Sequence, residues 1–134
     1  PAPCKEVTTM RFRRLPTKYG AHRVVRVLAK HALAELIDYI YVPKKTGASK
    51  NYKYAFVNFV NPEAASYVAR IMHGTFWTEM RVDGRVVYSH KVDVTPTWIQ
   101  GLLQNLVAFR AREGAHAVGE VPLVYLRGRE VPWN

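Results

Sequence analysis

The side chains with the most distinctive chemistry in this chain lie in residues 52–59, where aromatic residues alternate with small apolar ones. Because side chains alternate along a β-strand, a strand here places Ala55, Val57 and Phe59 on one face. The opposite face then carries Tyr54 and Phe56, with their rings where water would otherwise lie. Exposed rings of this kind suit a flat partner that stacks on them. The alternative is a strand whose rings are covered by another part of the same chain.

Positive charge is unevenly distributed over the 134 residues, whose net charge is +10. Residues 1–53 carry twelve Lys and Arg against three acidic residues, whereas residues 54–134 carry eight against seven. A predicted loop directly before the aromatic strand contains Lys44, Lys45, Lys50 and Lys53. A basic surface suits a polyanion, since each phosphate that is contacted releases condensed counterions. Ordinary solubility charge is the alternative, and the asymmetry favours a binding face.

Hydrophobic periodicity predicts a strand over residues 8–15, a helix over 21–36, and strands over 37–42 and 52–59. A second helix follows, because Asn61 is a favourable N-cap and Pro62 suits the first helical position. Gly74 can end that helix, and the Asp83-Gly84 pair indicates a hairpin turn. The last strand is predicted over residues 91–95.

This order predicts the α+β split sandwich, β-α-β-β-α-β, with two helices on one face of a four-stranded antiparallel sheet. The other face of the sheet is then open. The residues expected on that open face, with Tyr39 and Tyr41 included if Ile40 and Val42 face the core, are Arg11, Arg13, Tyr39, Tyr41, Tyr54 and Phe56.

The chain continues beyond this sandwich, so we expect three parts: an extension over 1–7, a core over 8–95, and a helix with a tail over 96–134. Thr95 can cap the additional helix and Pro96 can begin it, and an apolar stripe runs to about Arg112. This helix packs beside the core, covers the sheet, or binds a partner protein. In the tail, residues 121–126 are predicted to add an edge strand.

Several motifs resemble those of a known family. Residues 54–59, Tyr54-Ala55-Phe56-Val57-Asn58-Phe59, are similar to the RNP1 strand of RNA-recognition motifs. The opening Thr8-Thr9-Met10-Arg11, followed by Arg13–Tyr19, resembles the C-terminal RNA-recognition motif of the meiosis-protein-two-like RNA-binding proteins. Asp38–Pro43 resembles the second strand of that motif, and Lys91-Val92 and Ile99-Gln100-Gly101 resemble its end and the start of its additional helix.

The resemblance spans about residues 8–112 and implies single-stranded RNA as the partner, without catalysis. Tyr54 and Phe56 would stack on bases, and Arg11 and Arg13 would contact bases or phosphates. The loop lysines would contact the phosphates of the RNA backbone. The chain departs from the pattern at Arg11, where RNP2 usually has an aromatic residue, and at Arg14 and Lys53. An arginine plane can stack on a base or pair with phosphate. We therefore expect RNA binding with little sequence specificity rather than recognition of one strict sequence.

The sequence does not favour an enzyme. Its five histidines lack metal-ligand spacing, Cys4 is the only cysteine, and no glycine-rich phosphate loop is present. We therefore expect no metal and no cofactor, and no apolar run approaches the length that spans a membrane. The rival function is a protein-interaction or scaffold subunit, in a ribonucleoprotein for example, that docks through the 96–112 helix or the 118–134 tail.

Overall fold

The computed structural model describes residues 6–16, 19–44, 53–77, 79–88, 91–112 and 121–133. The predicted elements occur in the predicted order and form an α+β sandwich. The strands are β1 (Thr9–Arg13), β2 (Ile37–Tyr41), β3 (Tyr54–Phe59), β4 (Glu79–Val82), β5 (Arg85–Tyr88), β6 (Asp93–Pro96), β7 (Leu123–Leu126) and β8 (Arg129–Val131). The helices are α1 (Ala21–Lys30), α2 (Pro62–Met72) and α3 (Leu102–Ala111).

The main sheet is antiparallel, in the order β6-β1-β3-β2-β7-β8. The strands β6, β1, β3 and β2 are the four predicted from periodicity. The tail adds the β7–β8 hairpin to the edge of β2, which confirms the expected edge strand and extends it by a second. Arg127 and Gly128 have φ values of 50° and 82° at the hairpin turn, the conformation that a tight two-residue turn requires. β4 and β5 pair with each other separately.

The core lies between one face of this sheet and helices α1 and α2. Phe12, Ile40 and Val57 point into it from the sheet and are fully buried, and Leu28 and Val68 meet them from the two helices. The cap of α2 is as predicted, because the Asn61 side chain accepts a hydrogen bond of 2.7 Å from the Ala64 amide. Burial of these apolar side chains is the main force that holds the sandwich together.

Two helix boundaries differ from the prediction. α1 ends at Lys30 rather than at residue 36, because Ala32 takes a φ of +60° and a short 3-10 turn over Ala34–Leu36 leads into β2. α3 begins at Leu102 rather than at 96, because Pro96 is the last residue of β6, opposite Met10. Gly101 precedes the helix with a φ of +99°, which no helical residue adopts.

Candidate functional site

The face of the sheet opposite α1 and α2 carries the predicted binding residues, and the strand register arranges them in three rows. Paired residues on neighbouring strands share a face, so each row crosses the sheet. The rows, read from β6 towards β2, are Asp93–Arg13–Tyr54, Thr95–Arg11–Phe56–Tyr41 and Thr9–Asn58–Tyr39. The alternation predicted for β3 is therefore confirmed, with Tyr54 and Phe56 on this face.

The face is only partly open, because α3 lies across its β2 side. Tyr39 and Tyr41 are on the predicted face, but only 2% and 8% of their surface is accessible to solvent. They pack with Phe109 of α3, and Phe56, Leu102, Leu106 and Trp133 surround this cluster. The face is therefore not open at these two tyrosines: of the three positions that the sequence left open for the helix, the structure has it covering the sheet.

Ring contacts hold α3 and the tail on this face. The centroids of Tyr41 and Phe109 are 5.2 Å apart, and those of Phe109 and Trp133 are 6.0 Å apart, both edge-to-face. The Arg110 guanidinium lies 5.4 Å from the Trp133 ring centre. Burial and, secondarily, the neighbouring Tyr41 raise the pKa of the Tyr39 hydroxyl, and the positive charge of Arg112 partly offsets that rise. The Tyr39 hydroxyl is thus uncharged at neutral pH, and the Tyr39 ring packs against apolar side chains in the folded protein.

A buried polar network at Thr9 fixes the beginning of α3. The Thr9 hydroxyl donates to Asn58 Oδ1 at 2.6 Å and accepts from the Gly101 amide at 2.9 Å and from Asn105 Nδ2 at 3.2 Å. The side chains of Thr9, Asn58 and Asn105 are all buried. Buried polar groups that satisfy one another in this way specify a single arrangement, since any displacement leaves several of them without a partner. We call these four residues the Thr9 network.

Gln100 extends the attachment along the backbone of β1. Its Oε1 accepts hydrogen bonds of 2.8 Å from the amides of both Thr8 and Thr9, and its Nε2 donates to the carbonyls of Thr9 and Thr97. The Thr8-Thr9 and Ile99-Gln100-Gly101 motifs, which the sequence indicated only as resemblances, therefore have a structural role. The signal that could have indicated this role is an asparagine, Asn105, within an apolar helix.

What remains open beside α3 is a cleft of about 550 Å³ that we call the Arg11–Trp98 cleft. Arg11 and Phe56 line it from the sheet, Trp98 from the turn after β6, and Arg112 from the end of α3. Within the described part of the chain, the buried Nε of Arg11 and the buried hydroxyl of Thr95 have no hydrogen-bond partner. Such donors are costly to bury unless a ligand satisfies them. Arg11 and Phe56 were predicted from the sequence as binding residues, whereas Trp98 and Arg112 were not.

Tyr54 lies beside this cleft in the next row of the sheet and is partly exposed. Its ring centre is 5.4 Å from that of Phe56, in an edge-to-face arrangement. Arg13, the neighbour of Tyr54 on β1, forms an ion pair with Asp93 of β6. The hydrogen bond from Arg13 holds the pKa of the Asp93 carboxyl below its usual range. Arg13 is therefore on the predicted face, but its charge is already paired within the protein.

The predicted lysines divide between described and undescribed residues. Lys44 and Lys53 are exposed where the chain leaves β2 and enters β3. Lys45 and Lys50 lie outside the described residues. Across the ranges that the structure describes, no group of His, Cys, Asp and Glu side chains is arranged to bind a metal. No helix among these residues is long and apolar enough to cross a membrane.

Two curated proteins are similar to this chain in sequence. "Protein MEI2-like 7" of Oryza sativa subsp. japonica is 31% identical in an alignment 111 positions long that covers 70% of this chain and 28% of that protein. The "Protein terminal ear1 homolog" of Oryza sativa subsp. indica is 28% identical in an alignment 120 positions long that covers 76% of this chain and 17% of that protein. The chain thus spans less than a third of the length of either relative. No protein-family model matches the sequence.

Solved structures of RNA-recognition motifs share the fold. The Rna15 motif with bound RNA (GU) superposes with a TM-score of 0.53 at 8% identity and covers 77% of this chain and 96% of its own. A second structure of the Rna15 motif gives a TM-score of 0.54 at 10% identity, with coverages of 69% and 91%. At such low identities these structures show the common architecture of the sandwich and nothing about individual residues.

Proposed function

We propose that this chain, which is an RNA-recognition motif of the Mei2-like type, is a non-catalytic module that binds single-stranded RNA on the uncovered part of its sheet. The observation that carries the proposal is the Arg11–Trp98 cleft, where two arginines and an aromatic ring of β3 meet on the sheet face. Flat rings bind unpaired bases and guanidinium groups bind phosphates, so these residue types match both chemical parts of a nucleotide.

In this proposal Tyr54 and Phe56 stack on successive bases, and each ring contributes about 1–3 kcal/mol with little dependence on sequence. Arg11 contacts a base or a phosphate from β1, because its side chain lines the cleft. Arg112 adds positive charge at the rim of the cleft. Lys44, Lys45, Lys50 and Lys53 guide the RNA backbone near β2 and β3. Arg13 binds RNA only if a phosphate of the RNA displaces the Asp93 carboxylate from its ion pair with Arg13.

The experiment is a titration of the whole 134-residue chain into a fluorescent pool of random single-stranded RNA over a salt series. We expect the logarithm of the association constant to fall linearly with the logarithm of salt concentration. Replacing Arg11 or Arg112 by glutamine should reduce the steepness of that line by about 0.7 for each phosphate that the variant no longer binds. The matched control is Arg26→Gln, which removes the same charge from exposed α1 on the opposite face of the sheet.

A slope that changes equally in all three variants would mean that net charge alone attracts RNA, and it would contradict binding in the cleft. Absence of RNA binding by the wild-type chain at low salt would overturn the proposed function itself. Thermal unfolding of each variant shows whether the fold is retained, which matters most for the partly buried Arg11.

A scaffold role is the second candidate, and one observation favours it. Leu103 and Val107 lie four residues apart on the outer side of α3 and are 67% and 60% exposed. Apolar side chains at this spacing form a stripe that a partner protein could cover. This role predicts that alanine at both positions leaves RNA binding intact and abolishes a protein interaction, whereas the RNA-binding proposal requires the cleft residues.

A further inference from the structure

Trp98 is the most exposed large apolar side chain described, with 100% of its surface accessible. It lies in the turn between β6 and α3 and lines the same cleft as Arg11, Phe56 and Arg112. A free indole gains nothing from the fold in this position, because it buries no surface there. The proposed function does not explain this ring, and neither the RNP1 strand nor the resemblance in sequence assigns a role to it.

The sheet itself offers few rings for stacking. On the cleft face, β1 presents Thr9, Arg11 and Arg13, so the strand that corresponds to RNP2 supplies no aromatic residue there. On β2, Tyr39 and Tyr41 are buried beneath α3. The accessible rings on this face of β6, β1, β3 and β2 are therefore Tyr54 and Phe56 of β3. A base that crosses the β1 and β6 side of this face therefore finds no ring on the strands themselves, and Trp98 lies next to that side.

The backbone around Trp98 is fixed although its side chain is free. Thr97 donates its amide to the Thr9 carbonyl at 3.4 Å, and the Thr97 hydroxyl accepts from the Ile99 amide at 3.2 Å. Gln100 and Gly101 are hydrogen-bonded to β1 directly after it. The backbone therefore keeps the indole at the rim of the cleft. When the indole stacks on a ligand, the entropic cost is limited to its two side-chain torsions.

We propose, on the basis of the RNA-binding function above, that Trp98 is a third stacking residue of this site, beside Tyr54 and Phe56, and replaces the ring that RNP2 lacks. An unpaired base stacks on the indole while its neighbour stacks on Phe56. Arg11 and Arg112 line the same cleft as these two rings and bind the connecting phosphate. With Tyr54 included, the sheet and the turn together hold about two or three nucleotides, the number typical of this fold.

The test compares Trp98→Ala with Trp98→Phe, using the random single-stranded RNA pool at one salt concentration. Because loss of one stacked base costs about 1–3 kcal/mol, Trp98→Ala should weaken binding by about 5- to 150-fold, and Trp98→Phe should retain most of the affinity. Thermal stability should not change, since the side chain buries no surface. Wild type should also lose tryptophan fluorescence on adding RNA, and Trp98→Phe should not.

The matched control is Tyr67→Ala, which removes a 47% exposed ring from α2, on the opposite face of the sheet. It should bind RNA as wild type does. If Trp98→Ala binds RNA as tightly as wild type while Phe56→Ala is weakened, the role of Trp98 is wrong and the proposed function stands. If the control is weakened as strongly as Trp98→Ala, general apolar contact rather than stacking explains the loss, and the inference is overturned. Absence of binding by wild type overturns both proposals.

Discussion

Replacing Tyr54 and Phe56 together by alanine is expected to weaken RNA binding by at least about 30-fold at every salt concentration. Each ring stacks on one base, and the lower bound of about 1 kcal/mol for each gives roughly 2 kcal/mol for the pair. Stacking is not screened by salt, so the loss should persist where phosphate contacts are weak. Fluorescence anisotropy with the labelled random pool measures the change.

The control for this pair keeps both rings, as Tyr54→Phe with Phe56→Tyr. Phe56 also touches the cluster beneath α3, so alanine there removes some packing as well as a stacking surface. The ring-conserving pair retains the aromatic surface at both positions and should bind about as tightly as wild type. If the two double variants lose affinity equally, or if the alanine pair loses affinity only at low salt, then stacking on β3 is not the source of binding.

Thr9→Val is expected to release α3 from the sheet. Valine has the shape of threonine without its hydroxyl, so the change removes three hydrogen bonds from the Thr9 network and leaves Asn58, Gly101 and Asn105 short of a partner. Each buried polar group left in this way costs about 1–3 kcal/mol, so the attachment of α3 should lose on the order of 3 kcal/mol. Hydrogen exchange of the α3 amides measures the release and should accelerate more than that of β3.

Thr9→Ser keeps the hydroxyl and should leave the protection of α3 close to that of wild type. Release of the helix should also expose Tyr39, and its pKa should then fall towards the ordinary tyrosine value of about 10. Absorbance of the tyrosinate during a titration to high pH reports this change, because burial is the main cause of the raised pKa. Unchanged α3 protection in Thr9→Val would contradict the importance of the network.

The fold was largely predictable because its elements depend on local patterns. Alternation over 54–59 correctly placed Ala55, Val57 and Phe59 in the core, and the Asn61-Pro62 pair correctly indicated the beginning of α2. One strand broke its own alternation without a sequence signal. Ile37 and Ile40 both face the core although they are three positions apart, because an irregularity in the register between Ile37 and Tyr39 shifts the pairing of β2 with β3.

The site was less predictable because contacts between distant residues complete it. The position of α3 depends on hydrogen bonds between β1 and residues more than ninety positions later, which no local periodicity encodes. The rings on the sheet face were therefore predicted correctly from the sequence, but which of them α3 covers was not predictable. Trp98 and Arg112 belong to the cleft only because Gly101 turns the chain before the helix and the Thr9 network fixes it there.

The measurement that tests the central claim most directly is a two-dimensional amide and indole NMR titration of the whole chain with short single-stranded RNA. The account predicts that shift changes concentrate in β1, β3 and β6 and at the Trp98 indole, and that α1 and α2 on the opposite face change little. Shift changes that concentrate in α1 and α2, or around Leu103 and Val107 with the cleft unaffected, would contradict RNA binding on the uncovered face of the sheet.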